Sequence, residues 1–279
     1  MAQTTSKGIL IAVLFLAVGL FLATDARAMD FKKNSFEIGP VVSYRTYKEP
    51  DNIKETGLMY GIDADYMYHG ELGDLVNNMM FGLEGRFSYG QVDYDGQLTD
   101  GSPYQINNIN DYLGEARAVV GQDFMLNDGM ALTPFLGFGY RYLRDDAAKD
   151  PAGYLRESNY FYSPIGAELK TVLTDDWSLG LKAEYDIFWH GVQKSHLGDA
   201  IASLNDVQNR QDSGYGMRGS VAVEKKGLGM DWVVEPFIQY WNIKQSDMAD
   251  VSLSGTIIGQ AYEPDNKTTE YGLKVLAKF

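Results

Sequence analysis

Glu270-Tyr271-Gly272-Leu273-Lys274-Val275-Leu276-Ala277-Lys278-Phe279 closes the sequence and decides its fold. Tyr271, Leu273, Val275, Ala277 and Phe279 share one parity. Glu270, Gly272, Lys274 and Lys278 hold the other, with Leu276 the exception. A period of two belongs to a β-strand, whose successive side chains point to opposite faces. This strand therefore carries one apolar, aromatic face and one charged face.

The same pattern runs backward through the chain. Trp177, Leu179, Leu181, Ala183, Tyr185, Ile187 and Trp189 oppose Ser178, Gly180, Lys182, Glu184, Asp186 and His190. Phe36, Ile38, Pro40, Val42 and Tyr44 oppose Glu37, Gly39, Ser43 and Arg45. Glycine-punctuated alternation from Phe36 to Phe279 shows no domain boundary and predicts ten strands. They cover about 35–47, 55–69, 79–94, 112–125, 130–144, 158–173, 176–190, 213–225, 230–244 and 267–279. Alternation alone also fits a soluble sandwich with its apolar face inward.

Three features favour a membrane barrel instead. First, the connections alternate in length. Leu126-Asn127-Asp128-Gly129, Thr174-Asp175-Asp176 and Lys226-Gly227-Leu228-Gly229 read as tight turns. Residues 95–111, 145–157, 191–212 and 245–266 read as long polar loops. Short periplasmic turns and longer outer loops are the outer-membrane pattern. The 70–78 turn is longer than this pattern asks, and the first loop, near 48–54, is shorter. Second, aromatics flank the apolar faces in two bands. Trp177, Trp232, Phe81 and Phe124 lie beside the tight turns. Tyr44, Tyr60, Tyr89, Tyr140, Tyr185, Trp189, Tyr215 and Tyr240 lie toward the loops. Such rings suit both membrane interfaces. Third, Tyr271 to Phe279 resembles the C-terminal signature of bacterial outer-membrane β-barrels. That resemblance identifies the broad outer-membrane β-barrel superfamily. It implies an all-β, transmembrane, antiparallel up-and-down barrel, a cell outer membrane location, and an assembly machinery that reads the strand ending at Phe279.

The remaining composition fits export. Lys7, the uncharged run Gly8 to Ala23 and the small-x-small site Ala26-Arg27-Ala28 have the layout of a cleavable signal peptide, residues 1–28. The barrel then spans 29–279. Cleavage takes Lys7, Arg27 and Asp25 from 24 basic and 38 acidic residues, leaving 22 and 37. So acidic a chain is a poor partner for nucleic acid, whose phosphates call for a basic face. The absence of cysteine excludes a lipid-modified N-terminal Cys, disulfides and thiolate metal sites.

The parity that faces the lumen is charged. Glu84 and Arg86, Glu115 and Arg117, Glu168 and Lys170, and Lys182 and Glu184 recur two apart. Asp63, Asp65, Arg141, Asp186, Arg218, Glu224, Glu235, Glu270 and Lys274 join them. At eight strands side chains fill a barrel, and open channels need about 16–18. Ten strands predict a largely plugged lumen crossed by ion pairs, because buried charges must be paired. A narrow pore is the alternative reading.

Chemistry is sparse. Asp93-Tyr94-Asp95 resembles the acidic pair of the omptin outer-membrane proteases, which are also ten-stranded barrels. The fourth long loop departs from that family, because no Asp-x-His spacing accompanies His190 or His196. The nearest acids there are Asp186 and Asp199. Gly-x-Ser-x-Gly, His-Glu-x-x-His and EF-hand patterns are missing, so no catalytic, cofactor or metal residue is assigned. The acidic loops, Asp145-Asp146 and Asp247 to Asp250, read as solvated.

The reading that follows is a non-enzymatic, monomeric barrel acting structurally or through its outer loops. Its expected partners are outer-membrane lipids and lipopolysaccharide. A narrow solute channel and an omptin-like protease are the alternatives. Two local expectations complete it. Pro134 and Pro236, echoed in Leu132-Thr133-Pro134-Phe135 and Val234-Glu235-Pro236-Phe237, should sit at strand starts or bulges. Ile201, Leu204 and Val207 predict a short helix over 199–210, capped by Asp199, folded over the barrel mouth.

Overall fold

A computed structural model describes residues 29, 31–50, 53–72, 76–97 and 101–279. The expected signal peptide lies outside the described residues. The strands are β1 (Asn34–Lys48), β2 (Lys54–Leu72), β3 (Val76–Gln97), β4 (Pro103–Gln122), β5 (Phe124–Asn127), β6 (Met130–Asp146), β7 (Leu155–Val172) and β8 (Trp177–Ser195). They continue as β9 (Val207–Gln211), β10 (Gly214–Lys225), β11 (Asp231–Ile243), β12 (Ala249–Leu253), β13 (Thr256–Ala261) and β14 (Asn266–Lys278). Ten of them make the wall, each antiparallel to its neighbours in chain order: β1, β2, β3, β4, β6, β7, β8, β10, β11 and β14. β14 pairs with β1 along Lys48↔Lys267 to Glu37↔Lys278, so the ring closes and the wall has no free edge.

The wall follows the expected parity. Outward side chains include Ile62, Leu83, Phe87, Leu136, Phe138, Ile165, Ile238 and Leu273, all exposed. In a soluble protein such a belt would aggregate; on a lipid-facing wall it is the apolar band. Aromatics border it on both sides. Phe81, Trp177, Phe124 and Trp232 lie exposed beside the tight turns. Toward the loops the rings gather in clusters: Tyr44 with Tyr271 at 5.7 Å, Tyr89 with Tyr112 at 5.0 Å, and Tyr185 with Tyr215 at 5.8 Å. The charges are inside. Asp63, Arg86, Glu115, Arg141, Glu184, Asp186 and Glu270 are buried, as is Leu276, whose departure from the charged parity reflects packing inside the lumen.

Several boundaries differ from the sequence reading. β3 and β4 pair out to Gln97↔Pro103, so the expected 95–111 loop is mostly ladder. β7 starts at Leu155 and β8 runs to Ser195, which shortens 145–157 and 191–212 in the same way. Above the membrane both faces of a strand can be polar. The backbone still pairs there, but the apolar face that announces a strand is gone. The turn expected over 70–78 is tighter than that, since Leu72 pairs with Val76. Pro134 and Pro236 do not open their strands. Each sits several residues inside, where one neighbouring ladder is interrupted. For Pro134 this is the break at Asp123 between β4 and β5, and for Pro236 the gap between Ser220↔Phe237 and Val223↔Val234.

The helix expected over 199–210 is also corrected. Only Leu197–Asp199 is helical, as a single 3-10 turn, and Val207–Gln211 is strand β9, paired to Gly191–Ser195 of β8. Val207, Asn209 and Gln211 are buried while Gln208 and Arg210 are exposed, a period of two. Ile201 lies in the open. β8 rises above the wall with an unpaired edge, and its hydrogen-bonding groups outweigh a three-residue apolar stripe that would make only a marginal helix.

Candidate functional site

The lumen divides into two halves. Beside the tight turns it holds a cavity of about 540 Å³. Lysines and carboxylates line it. Lys278 bridges Glu37 at 2.9 Å and Glu224 at 3.1 Å, and Lys170 reaches Glu224 at 2.8 Å. Lys274 holds Asp63 at 3.0 Å, and Lys182 holds Glu84 at 2.9 Å. Asp65, Glu168 and Glu235 also line the cavity. Residues before β1 cross its mouth. Phe31 stacks on His69 with ring centres 4.5 Å apart, and Lys32 pairs with Asp231 at 2.9 Å.

Above the cavity the lumen is filled. Arg218 lies at the centre, with Glu115 at 2.6 Å, Asp186 at 2.7 Å and Glu184 at 3.1 Å. Arg117 joins Glu184 at 2.5 Å to Glu84 at 3.3 Å. Arg86 pairs with Glu270, which also accepts from Ser43 at 2.6 Å. None joins the neighbours two apart that share a strand: Arg218–Glu115, Arg117–Glu184 and Arg86–Glu270 link strands that are not adjacent, while Arg117–Glu84 and Arg218–Glu184 link opposed residues of adjacent strands. Aromatic rings pack between them. Tyr162 donates to Glu115 at 2.7 Å and meets Trp241 edge-on at 5.1 Å. Arg218 and Arg141 both lie over Trp241, each at 5.6 Å. Tyr160, Tyr162, Phe188, Trp241 and Ile243 form one buried cluster inside the barrel. Sequence reading missed this cluster because it assigned aromatic residues to the lipid face. The available signal was parity: Tyr160 and Tyr162 share the parity of Ser158 and Pro164, also buried.

A third layer seals the loop end. Arg45 pairs with Asp111 at 2.6 Å. Arg156 gathers Glu55, Asp145 at 2.5 Å and Glu49 at 3.4 Å. Here the last loop folds inward. Tyr47 donates to Glu49 at 2.7 Å and to Glu263 at 3.0 Å. Glu263 is buried, and burial reinforced by the negative Glu49 pushes its carboxyl up to about 7. The cavity left in this layer is only about 40 Å³. The fourth and fifth loops brace each other over it: Asn209 donates to the Asp247 and Ala261 carbonyls at 3.0 Å, and the Arg210 amide donates to Asp247 at 2.6 Å.

The omptin-like residues lie elsewhere. Asp93 and Asp95 point out of the wall. Asp93 accepts from the Asn108 amide at 3.0 Å, where Asn108 has φ +58° and the β3–β4 register slips, so it fixes a β-bulge. Asp95 accepts from Gln105 at 3.3 Å. His190 pairs with Asp212 at 2.9 Å outside the mouth, while Asp186 faces Arg218 inside. His196 binds Glu157 at 2.9 Å and Asp206 at 3.0 Å. Asp199 accepts from the Leu155 amide at 3.1 Å. The acids are on β3 and the histidines on β8 and the loop after it, with β4, β6 and β7 between. The loop acids expected to be solvated are partly engaged: Asp145 faces Arg156, Asp146 faces Arg144 at 3.2 Å, and Asp250 accepts from Gln260 at 2.9 Å. No group of three or more His, Asp or Glu among the described residues is arranged to hold a metal.

No family model matches the chain, and no curated protein matches it. Solved structures do. The outer membrane protease OmpT from Escherichia coli is 9% identical, covers 91% of this chain and 99% of its own, and superimposes with a TM-score of 0.55. The transport unit of the autotransporter AIDA-I from Escherichia coli is 8% identical over 93% of this chain and 96% of its own, with a TM-score of 0.41. Ail of Yersinia pestis is 12% identical over 89% of this chain and 100% of its own, with a TM-score of 0.32. The likeness to OmpT is one of fold. The chain is a closed ten-stranded barrel of the outer-membrane type.

Proposed function

We propose that the protein is a non-enzymatic barrel of a Gram-negative outer membrane, sealed through the middle and loop end of its lumen. It acts as a structural or surface-interacting element through its joined outer loops. The observation that supports this most is the central layer, in which Glu115, Tyr162 and Trp241 are buried and packed with Arg218, whose side chain is 9% exposed at the cavity's inner end. A solute would have to break several desolvated ion pairs to pass. Truncating one partner of such a pair costs about 3–5 kcal/mol. In planar bilayers the folded protein is expected to be electrically silent. A steady unitary current would overturn the proposal.

The 540 Å³ charged cavity favours a second reading, a narrow channel opened by movement of the central layer. The same recording distinguishes the two. Omptin-like proteolysis draws support only from the shared fold. Cleavage of a basic peptide in the presence of lipopolysaccharide, lost in Asp93→Asn, would establish it.

A further inference from the structure

One stretch of the outer wall has a use that the sealed lumen does not explain. At the seam where β2, β1 and β14 lie side by side, outward residues climb in matched rows. Tyr44 stands opposite Leu58 and Tyr271. Thr46 stands opposite Thr56 and Thr269. The next row is Lys48, opposite Lys54 on one side and Lys267 on the other. All three lysines are exposed. Directly opposed residues of an antiparallel pair have Cβ atoms about 4.5–5.5 Å apart, and like charges there repel. Three ammonium groups thus share one short row.

None of the three lysines forms an ion pair among the described residues. The lumen differs: Lys170, Lys182, Lys274 and Lys278 each lie within 3.1 Å of a carboxylate. Two acids flank the row without closing an ion pair on it, and each has other partners. Asp95, opposite Lys54 on β3, accepts from Gln105. Asp265, which feels the charge of Lys267, is held by Lys244 at 3.2 Å and the Gln245 amide at 2.6 Å. In a chain of formal net charge -14 three adjacent ammonium groups without an ion pair are a departure.

Height identifies what would compensate it. The Tyr44–Tyr271 pair belongs to the aromatic band at the loop-side interface. The lysine row is four residues farther along the strands. At about 3.3 Å per residue and a tilt of roughly 40°, that is about 10 Å higher. Lysine stems can bend back toward the interface. The ammonium groups therefore reach the polar headgroups of the leaflet on the loop side.

We propose that Lys48, Lys54 and Lys267 form a docking site for the phosphate groups of a phosphorylated glycolipid in that outer leaflet. The proposal rests on the reading that the loop end faces outward. It gives the expected lipid partner a place on the barrel and a chemistry, three ammonium groups against clustered phosphates.

The test titrates the folded barrel in detergent with three probes: lipid A carrying both phosphates, the same lipid with its phosphates removed, and inorganic phosphate. The bisphosphorylated lipid is expected to bind far more tightly than the other two. The triple variant Lys48→Gln, Lys54→Gln, Lys267→Gln should weaken it on the order of a hundredfold, at about one charge attraction per lysine. The triple arginine variant should keep most of the affinity, and Lys194→Gln, on the far wall, should keep all of it. Retained heat-modifiable migration shows that each variant is folded; if the triple glutamine variant does not fold, Lys48→Gln alone carries the comparison. Equal binding of the dephosphorylated lipid, equal binding by the glutamine variant, an equal loss in Lys194→Gln, or inorganic phosphate binding as tightly would each overturn the site. The titration does not depend on orientation in the cell. Failure of the outward-loop reading would show separately, as loops that cannot be labelled on intact cells.

Discussion

The two halves of the lumen use different chemistry for the same problem. Near the tight turns the cations are mainly lysines, each set against carboxylates around an open cavity. At the centre and loop end they are arginines, interleaved with Tyr162, Trp241 and Phe237. Lysine is a strongly hydrated point charge, so it suits a wall that water can reach. Arginine is planar and weakly hydrated, binds several carboxylates at once and stacks on rings. Only the second set can fill a cross-section without water. The difference shows that a barrel can be charged throughout and yet closed along only part of its length.

The largest effect should come from Arg218→Met. It leaves buried Asp186 without its cation and takes one partner from buried Glu115 and Glu184, and losing one partner of a buried pair costs about 3–5 kcal/mol. Urea unfolding in detergent should show that loss. A change below about 1 kcal/mol would mean that water already reaches the layer. Trp241→Ala should follow, at about 3 kcal/mol, from the ring and the void it leaves. It should also raise conductance above the silent background, whereas an unchanged, silent barrel would show that the ion pairs alone make the seal. Lys170→Met, in the cavity half, should cost only about 1 kcal/mol, because Glu224 lines the cavity and keeps Lys278. If it matches Arg218→Met, the contrast between the halves fails.

The smallest effect is a pH dependence at the loop end. Glu263 has its folded value raised to about 7 from an ordinary 4.5. The folded mouth therefore holds a proton that the opened loop releases, and its stability falls as pH rises from the ordinary value through the folded one. Protection from hydrogen exchange across 262–265, taken relative to the intrinsic base-catalysed rate, should be greater at pH 5 than at pH 8, and Glu263→Gln should abolish the difference. Protection that stays level or grows as pH rises would contradict the assignment.

Much of this was legible in the sequence, for reasons particular residues make clear. The lipid-facing wall forces strict parity, so Tyr271 to Phe279 marked its strand almost to the residue, and Trp177 marked the start of β8, whose end at Ser195 lies past the expected 190. The same rule placed Arg218, Glu115, Asp186 and Glu270 inside. Their partners were not legible. Ion pairs cross the lumen between strands far apart in sequence, as Arg86 to Glu270 does, and no local spacing encodes that. The aromatic seal stayed hidden because rings at Tyr162 and Trp241 look like lipid-facing rings until their parity is counted. Above the membrane both faces are polar, the periodic signal disappears, and strand β9 passed for a helix.

The central claim is that the lumen is open below and sealed above, and the lack of cysteine makes it directly testable. Ser220 lines the cavity, while Ser43 is buried in the Arg86–Glu270 layer. Single variants Ser220→Cys and Ser43→Cys each carry one thiol. A membrane-impermeant thiol reagent should modify Ser220→Cys when supplied from the periplasmic side and not from outside intact cells. Ser43→Cys should resist it from both sides. Modification of Ser220→Cys from outside, or of Ser43→Cys at a comparable rate, would show that the lumen is continuous and the account wrong.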